Sequence, residues 1–176
     1  RRCKAGIPDE VVFRHKWELA LDMLDRALDN RVSLGVIVAD AAYGSITAFR
    51  EALDARQLSY AVGIEGTLVF WPRPTHRQPV SGSGKGRPPK PRYPVDEPPQ
   101  SAVTIANNLP DEAWHDITYW KGTKGPHNAQ FAALRVQPAH HHQKNEPERP
   151  MVWLLIQKTD DPKTLYKFFL SNLDEA

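Results

Sequence analysis

Apolar positions recur at helical spacing over residues 16–30. Four of them follow one another at intervals of four, three and four residues, namely Trp17, Leu21, Leu24 and Leu28. A helix with this spacing carries one apolar stripe along its length. The pattern then changes to LGVIVAD (34–40), a continuous apolar run rich in Val and Ile. Such a run is typical of a strand that is buried on both faces of a parallel sheet.

A second helix and a second strand are predicted directly after this run. Ser45 is the expected N-cap of the helix, and Arg56 and Gln57 end it. The inward-facing residues of this helix are predicted to be Ile46, Phe49 and Leu53. The run LSYAVGI (58–64) has the composition of a strand. Strand, helix and strand in succession make a βαβ unit with a right-handed crossover.

The second half of the chain predicts mostly strands. LVFWP (68–72) is a brief one, and the stretch from Pro72 to Pro99 is a loop rich in Pro, Gly, Ser and basic residues. Four later runs are rich in β-branched or aromatic residues: DITYW (116–120), AQFAALRVQPA (129–139), MVWLLIQK (151–158) and LYKFFLSN (165–172). Because turn residues bound each run, they predict a mostly antiparallel sheet. The expected fold class is α/β over residues 1–65, followed by a β-rich part over residues 66–176.

Charge adds one feature to this picture. The net charge of +2 is small, but six basic residues follow one another without an acid between them: Arg73, Arg77, Lys85, Arg87, Lys90 and Arg92. Such a segment suits the DNA backbone, where Lys and Arg displace counterions. Two alternatives stay open, which are a solvated linker without a partner and a polyproline ligand formed by RPPKPR.

The single cysteine, Cys3, excludes an internal disulfide and fits a reducing cytoplasm. No apolar run approaches the roughly 20 residues that a membrane helix needs. The chain opens at Arg1 without an initiator Met and closes soon after an apolar, strand-like run. We therefore expect it to be a segment of a longer protein.

Asp40 is the most informative acidic residue, because it ends the first predicted strand. Ligands of open α/β sheets bind beyond the carboxyl ends of the strands. A carboxylate there, beside a turn made flexible by Gly44, can hold Mg²⁺, which prefers one or two carboxylates with waters and phosphate oxygens. The alternative is that Asp40 only caps the next helix. A nucleotide-hydrolase strand is disfavoured because no GxxxxGK[ST] precedes it, and a receiver-like phosphoacceptor is disfavoured by the β-rich second half.

The KGTKG turn (121–125) is a second candidate for binding. Its glycines allow close backbone approach, while Lys121, Thr123 and Lys124 offer charge and a hydroxyl for phosphate contact. A plain hairpin turn is the alternative. Trp120 could stack on a DNA base, although a Trp in a strand is more often a core residue.

Seven segments, in this order, resemble bacterial insertion-sequence transposases of the DDE superfamily, in the insertion-sequence 701 type: AGIPDEVVF (5–13), VIVADAAYGSITAFREAL (36–53), YAVGI (60–64), GRPPKPR (86–92), YWKGTKG (119–125), FAALRVQPAH (131–140) and FLSNL (169–173). The resemblance implies a ribonuclease-H-like core in which three acids (Asp, Asp, Glu) bind two divalent ions, Mg²⁺ or Mn²⁺. It also implies a β-rich insertion between the second Asp and the Glu. Asp40 matches the second acid, and residues 66–172 match the insertion. The first Asp is then expected upstream of Arg1 and the Glu downstream of Ala176.

The resemblance further implies that the complete protein nicks and joins DNA by two-metal phosphoryl transfer, with Asp40 as a catalytic and metal-binding residue. Its partners would be the transposon ends, the target DNA and further copies of itself on DNA, in the bacterial cytoplasm near the nucleoid and not at a membrane. With one acid of three, this segment is expected to be catalytically silent. Because much of its sheet would be missing, apolar surface is expected to be exposed on residues 34–40 and 58–64. The alternatives are a non-catalytic DNA-binding or protein-interaction module and the remnant of a decayed element.

Overall fold

The computed structural model describes residues 4, 6, 8, 11–79, 92–94, 96–122, 125–139, 148–161 and 164–174. The helices are α1 (Lys16–Asp29), α2 (Ala41–Gly44), α3 (Thr47–Ala55) and α4 (Ala102–Asn107). The strands are β1 (Ile37–Ala39), β2 (Tyr60–Ile64), β3 (Val69–Trp71), β4 (Gln100–Ser101), β5 (His115–Gly122), β6 (Gly125–Pro138), β7 (Val152–Lys158) and β8 (Tyr166–Ser171). Among the described helices, none is long and apolar enough to cross a membrane.

The strands form one mixed sheet in the order β1-β2-β8-β7-β6-β3-β4, and β5 pairs with β6 beside this path. β1 and β2 are parallel, whereas the other pairs are antiparallel. The predicted βαβ unit and the predicted antiparallel second half are therefore both confirmed. Because β2 pairs directly with β8, the predicted boundary at residue 65 lies inside a continuous sheet, and the division into two parts stays a prediction.

One face of the sheet carries the core. Side chains alternate between the two faces of a strand, so Val62 and Ile64 of β2 point to the same side as Phe168 and Leu170 of β8. The helices contribute six buried residues to the same cluster, namely Leu21, Phe49, Leu53, Ala102, Ile105 and Ala106. Helices α1, α3 and α4 therefore pack against this face of the sheet.

The edge strand β1 departs from the prediction. It was expected to be buried on both faces, but Val38 is 78% exposed and Val36 is also exposed. The reason is that β1 pairs with β2 along one edge only, and its outward face has no helix over it among the described residues. The expected apolar exposure of residues 34–40 is thus confirmed only at Val36 and Val38, whereas Leu34, Ile37 and Ala39 pack against the core. The expected exposure is wrong for residues 58–64, because β2 lies between β1 and β8 and contributes buried side chains to the core.

Helix α1 follows its predicted stripe closely. Leu21 is buried, and Trp17 and Leu24 pack against the core, whereas Leu28 is exposed because the helix leaves the sheet near its end. The Arg56 guanidinium donates to both carboxylate oxygens of Asp25 at 2.6 and 2.7 Å, which joins the end of α3 to α1. The short helix α4 was not predicted, because its six residues are too few to show a helical period.

Asn172 fixes the end of β8 to the turn that precedes β2. Its Oδ1 accepts from the Tyr60 N–H at 2.8 Å, and its Nδ2 donates to Asp54 Oδ1 at 2.9 Å and to the Leu58 carbonyl at 3.1 Å. One side chain thus bonds three backbone or side-chain groups from a segment more than 100 residues away in sequence. These bonds hold the antiparallel half of the sheet against the βαβ unit.

Tyr60 generates a testable prediction about pH. Burial raises the pKa of its phenol to about 12, and the Asp54 carboxylate adds to this effect. The unfolded phenol ionises near pH 10, so the native state binds the proton more tightly and stability falls as pH rises from about 10 to about 12. Between pH 10 and pH 12 the unfolding free energy of the wild type should therefore fall by about 2–3 kcal/mol more than that of Tyr60→Phe, which has no phenol to ionise. Urea denaturation of both proteins at pH 7, 10 and 12 measures this, and equal losses would contradict it.

Candidate functional site

Asp40 lies directly after β1, at the carboxyl end of the parallel pair. Its Oδ1 accepts a hydrogen bond from the Ala42 N–H at 3.0 Å, so it is the N-cap of α2. The residue is exposed, and its carboxylate has no other hydrogen bond or ion pair within the described part of the chain. One carboxylate oxygen therefore serves the fold, and Oδ2 is open to a ligand.

A cleft of about 680 Å³ opens beside Asp40. The ends of β1 and β2 and the beginning of β8 line it, together with the loop after β2 and part of α4. Glu65 lies in the same cleft, one residue beyond β2, and it is exposed. The sequence analysis missed Glu65, although its signal was the same as for Asp40, an acid that directly follows a strand of the parallel pair.

A second cleft, of about 490 Å³, lies on the other side of Asp40. Its lining is mainly apolar and includes Met23 and Leu24 of α1, Val38 of β1 and Tyr43 of α2. Asp40 thus lines both clefts.

The turn that carries Asp40 is held against β2 by close backbone packing. A Cβ atom on Gly44 would lie 2.0 Å from the Gly63 carbonyl oxygen and 2.8 Å from Val62 Cβ, so only glycine fits there. The Arg50 guanidinium donates to the Gly44 carbonyl oxygen and, at 3.2 Å, to Thr47 Oγ1. Arg50 is only 4% exposed, and this burial lowers its pKa. The sequence analysis did not single out Arg50, because an arginine in an amphipathic helix normally faces solvent.

A protein-family profile described as a DDE superfamily endonuclease matches residues 1–126, which include Asp40, both strands of the parallel pair and all of β5. The chain belongs to this family. No curated protein matches the chain. The mixed α/β architecture agrees with a DDE nuclease fold, and the superfamily consists of endonucleases that act on DNA and typically use divalent metal ions.

The cap of α3 in this DDE endonuclease corrects one prediction. Ser45 does not cap that helix, because Asp40 caps the short helix α2 and α3 begins after Ile46. Instead, Ser45 Oγ accepts from the Glu65 N–H at 2.9 Å. The hydroxyl therefore connects the Asp40 turn to the end of β2, which keeps the two strand-end acids on one rim.

The donor set on this rim suits a hard cation. Carboxylate oxygens are the ligands that Mg²⁺ prefers, and it keeps several waters beside them. In the described ranges no group of three His, Cys, Asp or Glu residues is placed to hold a metal ion. The described part of this chain therefore offers one or two carboxylates, and Asp40 is the better placed because it lines both clefts and its turn packs closely against β2.

Three of the predicted DNA-binding arginines are described, and they do not line either cleft. Arg73 and Arg92 are exposed, and Arg92 forms an isolated backbone bridge with Gln78. The Arg77 guanidinium lies 5.2 Å from the centre of the Tyr93 ring. Lys85, Arg87 and Lys90 fall outside the described residues. DNA contact by this segment stays a prediction.

The strands on either side of the KGTKG turn pair with each other. β5 and β6 pair from His115 opposite Phe131 to Gly122 opposite Gly125, and Gly125 has a φ of 119° that favours glycine. Trp120 and Lys121 belong to β5, but their side chains lie outside the described part, as do residues Thr123 and Lys124. Their predicted contacts with phosphate or a base therefore stay predictions.

The packing of Gly44 gives a direct test of the site's geometry. We expect Gly44→Ala to lower the unfolding free energy by about 3 kcal/mol, because the new methyl group would overlap the Gly63 carbonyl. Gly35→Ala is the matched control, since a Cβ there meets no atom within 4 Å. Chemical denaturation of both variants measures the difference. Equal stability of the two variants would show that α2 is not pressed against β2.

Proposed function

We propose that this chain is the central segment of a DDE transposase of the insertion-sequence 701 type, in which Asp40 is the second of three metal-binding acids. Residues 1–65 would form part of a ribonuclease-H-like core, and residues 66–176 its β-rich insertion. The observation that carries the proposal is the position of Asp40. It is an exposed carboxylate with one free oxygen, at the carboxyl end of a parallel strand pair and beside a cleft of about 680 Å³.

The proposed reaction is cleavage of a transposon end and its joining to target DNA. Two divalent ions, when bound, activate an attacking oxygen and stabilise the leaving oxygen at phosphorus. The role of this chain is to hold the Asp40 carboxylate rigidly at the rim. The cap bond to Ala42 and the Arg50 clamp on Gly44 support that role, because they restrict the turn on both sides. The cleft supplies the space in which a DNA phosphate would lie.

The free edge of β1 supports the ribonuclease-H-like assignment. Along this edge no described strand pairs with β1, and Val36 and Val38 are exposed beside it. A further strand that carries the first acid would pair there and bring its carboxylate next to Asp40. It would also cover apolar side chains that now face solvent.

Binding of the DNA backbone is proposed for the basic segment and for the tip of the β5–β6 hairpin. The basic segment comprises Arg73, Arg77, Lys85, Arg87, Lys90 and Arg92, and the tip comprises Trp120, Lys121, Thr123 and Lys124. If the six residues of the basic segment all contacted phosphates, the logarithm of the binding constant would fall against log[salt] with a slope of about −5. Assembly into a homo-oligomer on DNA belongs to the same proposal.

A second candidate function is a non-catalytic DNA-binding or protein-interaction module. The observation that favours it is the hydrogen bond from Ala42 to Asp40, because this bond alone would explain an acid at this position. The two functions differ in what Asp40 must do. A cap needs only a short side chain with an acceptor, whereas a metal ligand needs a carboxylate or another anionic donor.

Substitutions at Asp40 separate these functions in a polypeptide from the parent reading frame that supplies the other two acids. Asp40→Ser keeps a good N-cap, so a cap-only role predicts unchanged DNA cleavage. A metal-binding role predicts a loss of cleavage rate of at least about a thousandfold, which is typical when a group essential to catalysis is removed. We expect the loss. Asp40→Cys is expected to be inactive with Mg²⁺ but partly active with Mn²⁺, because thiolate is a softer ligand. Asp29→Asn, at the exposed end of α1, is the control. Cleavage of an end-labelled transposon-end duplex is the measurement, and full activity of Asp40→Ser would refute the metal role.

The 176-residue chain by itself is expected not to cut DNA. A single carboxylate, or two, cannot hold two divalent ions in a fixed geometry. Incubation with supercoiled plasmid and Mg²⁺ or Mn²⁺ tests this by conversion to the nicked form. Nicking that disappears in Asp40→Ala would show that the described rim is complete as a catalytic site.

A further inference from the structure

We propose that the β5–β6 hairpin is an arm that enters a groove of the DNA and reads base edges about six to nine base pairs from the DNA phosphate that lies in the cleft beside Asp40. The arm consists of residues 116–122 and 125–130, and its reading residues are Thr118 and Asn128. This inference rests on the proposed function, since it assumes that DNA lies across the rim at Asp40.

The arm projects from the same end of the sheet as Asp40. β1 and β2 are parallel, and both end at this rim. β8 is antiparallel to β2 and therefore begins there, and β7 is antiparallel to β8 and therefore ends there, at Lys158. β6 runs antiparallel to β7, so its first residues also lie at this end. The last paired residue of β7 with β6 is Gln157, opposite Phe131, and β6 continues beyond it with β5 alone as its paired strand. The hairpin therefore extends past the rim as a two-stranded ribbon.

The strand register gives the distance between Asp40 and the arm. Ala39 is in line with Leu134 of β6 through four successive pairs, so Asp40 lies at the level of Ala133. Asn128 is five residues before Ala133, towards the first residue of β6, which is a distance of about 16 Å along the strand. Across the sheet, β6 is four strand spacings from β1, or about 19 Å. The two positions are thus about 25 Å apart. At a rise of about 3.4 Å per base pair, this distance corresponds to roughly seven base pairs of duplex.

The shape of the arm fits a groove. A major groove about 12 Å wide admits a two-stranded β-ribbon. On one face of the arm, Tyr119 packs edge-on against Phe131 with ring centres 5.7 Å apart, and it also contacts His127. These ring contacts stiffen the ribbon near the bulge between Thr118 and Trp120. A stiff ribbon can be inserted without first losing conformational freedom.

The opposite face carries the polar pair that would read bases. Thr118 lies directly across from Asn128, and the Thr118 hydroxyl donates to Asn128 Oδ1 at 2.5 Å. Both side chains are exposed. This bond orients the amide and uses one lone pair of Oδ1, which leaves the Nδ2 donors and the second lone pair for a ligand. An amide with one donor and one acceptor available matches the N7 and N6 edge of adenine.

The arm is connected to the rim at its base. Lys158 Nζ donates to Gln130 Oε1 at 3.0 Å and lies 4.1 Å from the centre of the Trp114 ring. Trp114 stacks on Tyr166 with ring centres 5.8 Å apart, and Tyr166 lines the cleft beside Asp40. Because these contacts run without a gap from the arm to the cleft, the arm has a fixed position relative to Asp40.

Site-directed cleavage of bound DNA tests the position of the arm. In a Cys3→Ser background the chain has no other cysteine, so an iron chelate can be attached separately at Asp40→Cys, at Asn128→Cys and at the control Ser59→Cys. Ser59 is exposed and lies before β2, at the opposite end of the sheet. The probe is a 40-base-pair duplex selected by this chain from a pool of random sequences. We expect hydroxyl-radical cuts from position 128 to be centred six to nine base pairs from those of position 40, with none from position 59.

The outcomes separate this inference from the proposed function. Cuts from position 40 without cuts from position 128 would overturn the arm and leave the proposed function intact. Cuts from position 128 without cuts from position 40 would support DNA binding by the arm and contradict the placement of DNA at Asp40, so the stated spacing would fall with it. The absence of cuts from both positions would overturn both proposals.

Base reading is tested separately by competition binding on the selected duplex. We expect Asn128→Ala to reduce the preference for one A·T pair by roughly tenfold or more, and Thr118→Val to cause part of this loss because the amide is no longer oriented. Asn108→Ala, at an exposed asparagine that ends α4, should leave the preference unchanged. Unchanged preference in Asn128→Ala, or failure of the wild type to enrich any sequence from the pool, would overturn base reading by the arm.

Discussion

The contact between the Gly44 turn and the Gly63 carbonyl is the constraint on which the site depends. At Gly44 the backbone of α2 lies directly against the Gly63 carbonyl and the Val62 side chain, so the Asp40 turn packs closely on the sheet. The buried Arg50 guanidinium holds the same turn from below through the Gly44 carbonyl. A carboxylate mounted on such a turn has little freedom to move. Rigid placement of charged groups is what catalysis by bound metal ions requires.

The sheet fixes the position of the Asp40 turn relative to the other strands. β2 lies between the parallel strand β1 and the antiparallel strand β8, and Asn172 bonds the end of β8 back to the turn before β2. The rim that carries Asp40 and Glu65 is therefore continuous with the strands that lead to the β5–β6 hairpin. In the proposed function, the DNA site at Asp40 and the β5–β6 arm lie on one sheet and keep a fixed separation, which would let the protein measure a distance along a duplex.

Two features near Asp40 are each unfavourable for stability: apolar side chains exposed to water on β1, and a charged arginine buried away from water. Val36 and Val38 leave apolar surface in water beside β1, and a bare apolar edge of this kind is normally covered in a folded protein. The Arg50 side chain is buried, although loss of hydration disfavours its charged form. Val36 and Val38 lie within four residues of Asp40, and Arg50 bonds the Gly44 carbonyl at the end of the turn that Asp40 begins.

The sequence alone determined the local elements and the principal candidate residue, since helical and strand periods and an acid after an apolar run depend only on neighbours in the chain. It predicted α1, the βαβ unit, the four later strands and Asp40 as a strand-end carboxylate. Tertiary structure decided which partner each strand has, so the burial of β2 and the actual hydrogen bond of Ser45 were not predictable. Glu65, Arg50 and the Thr118–Asn128 pair gain their significance from contacts between distant segments. No periodicity records such contacts, because they arise only when the sheet brings those segments together.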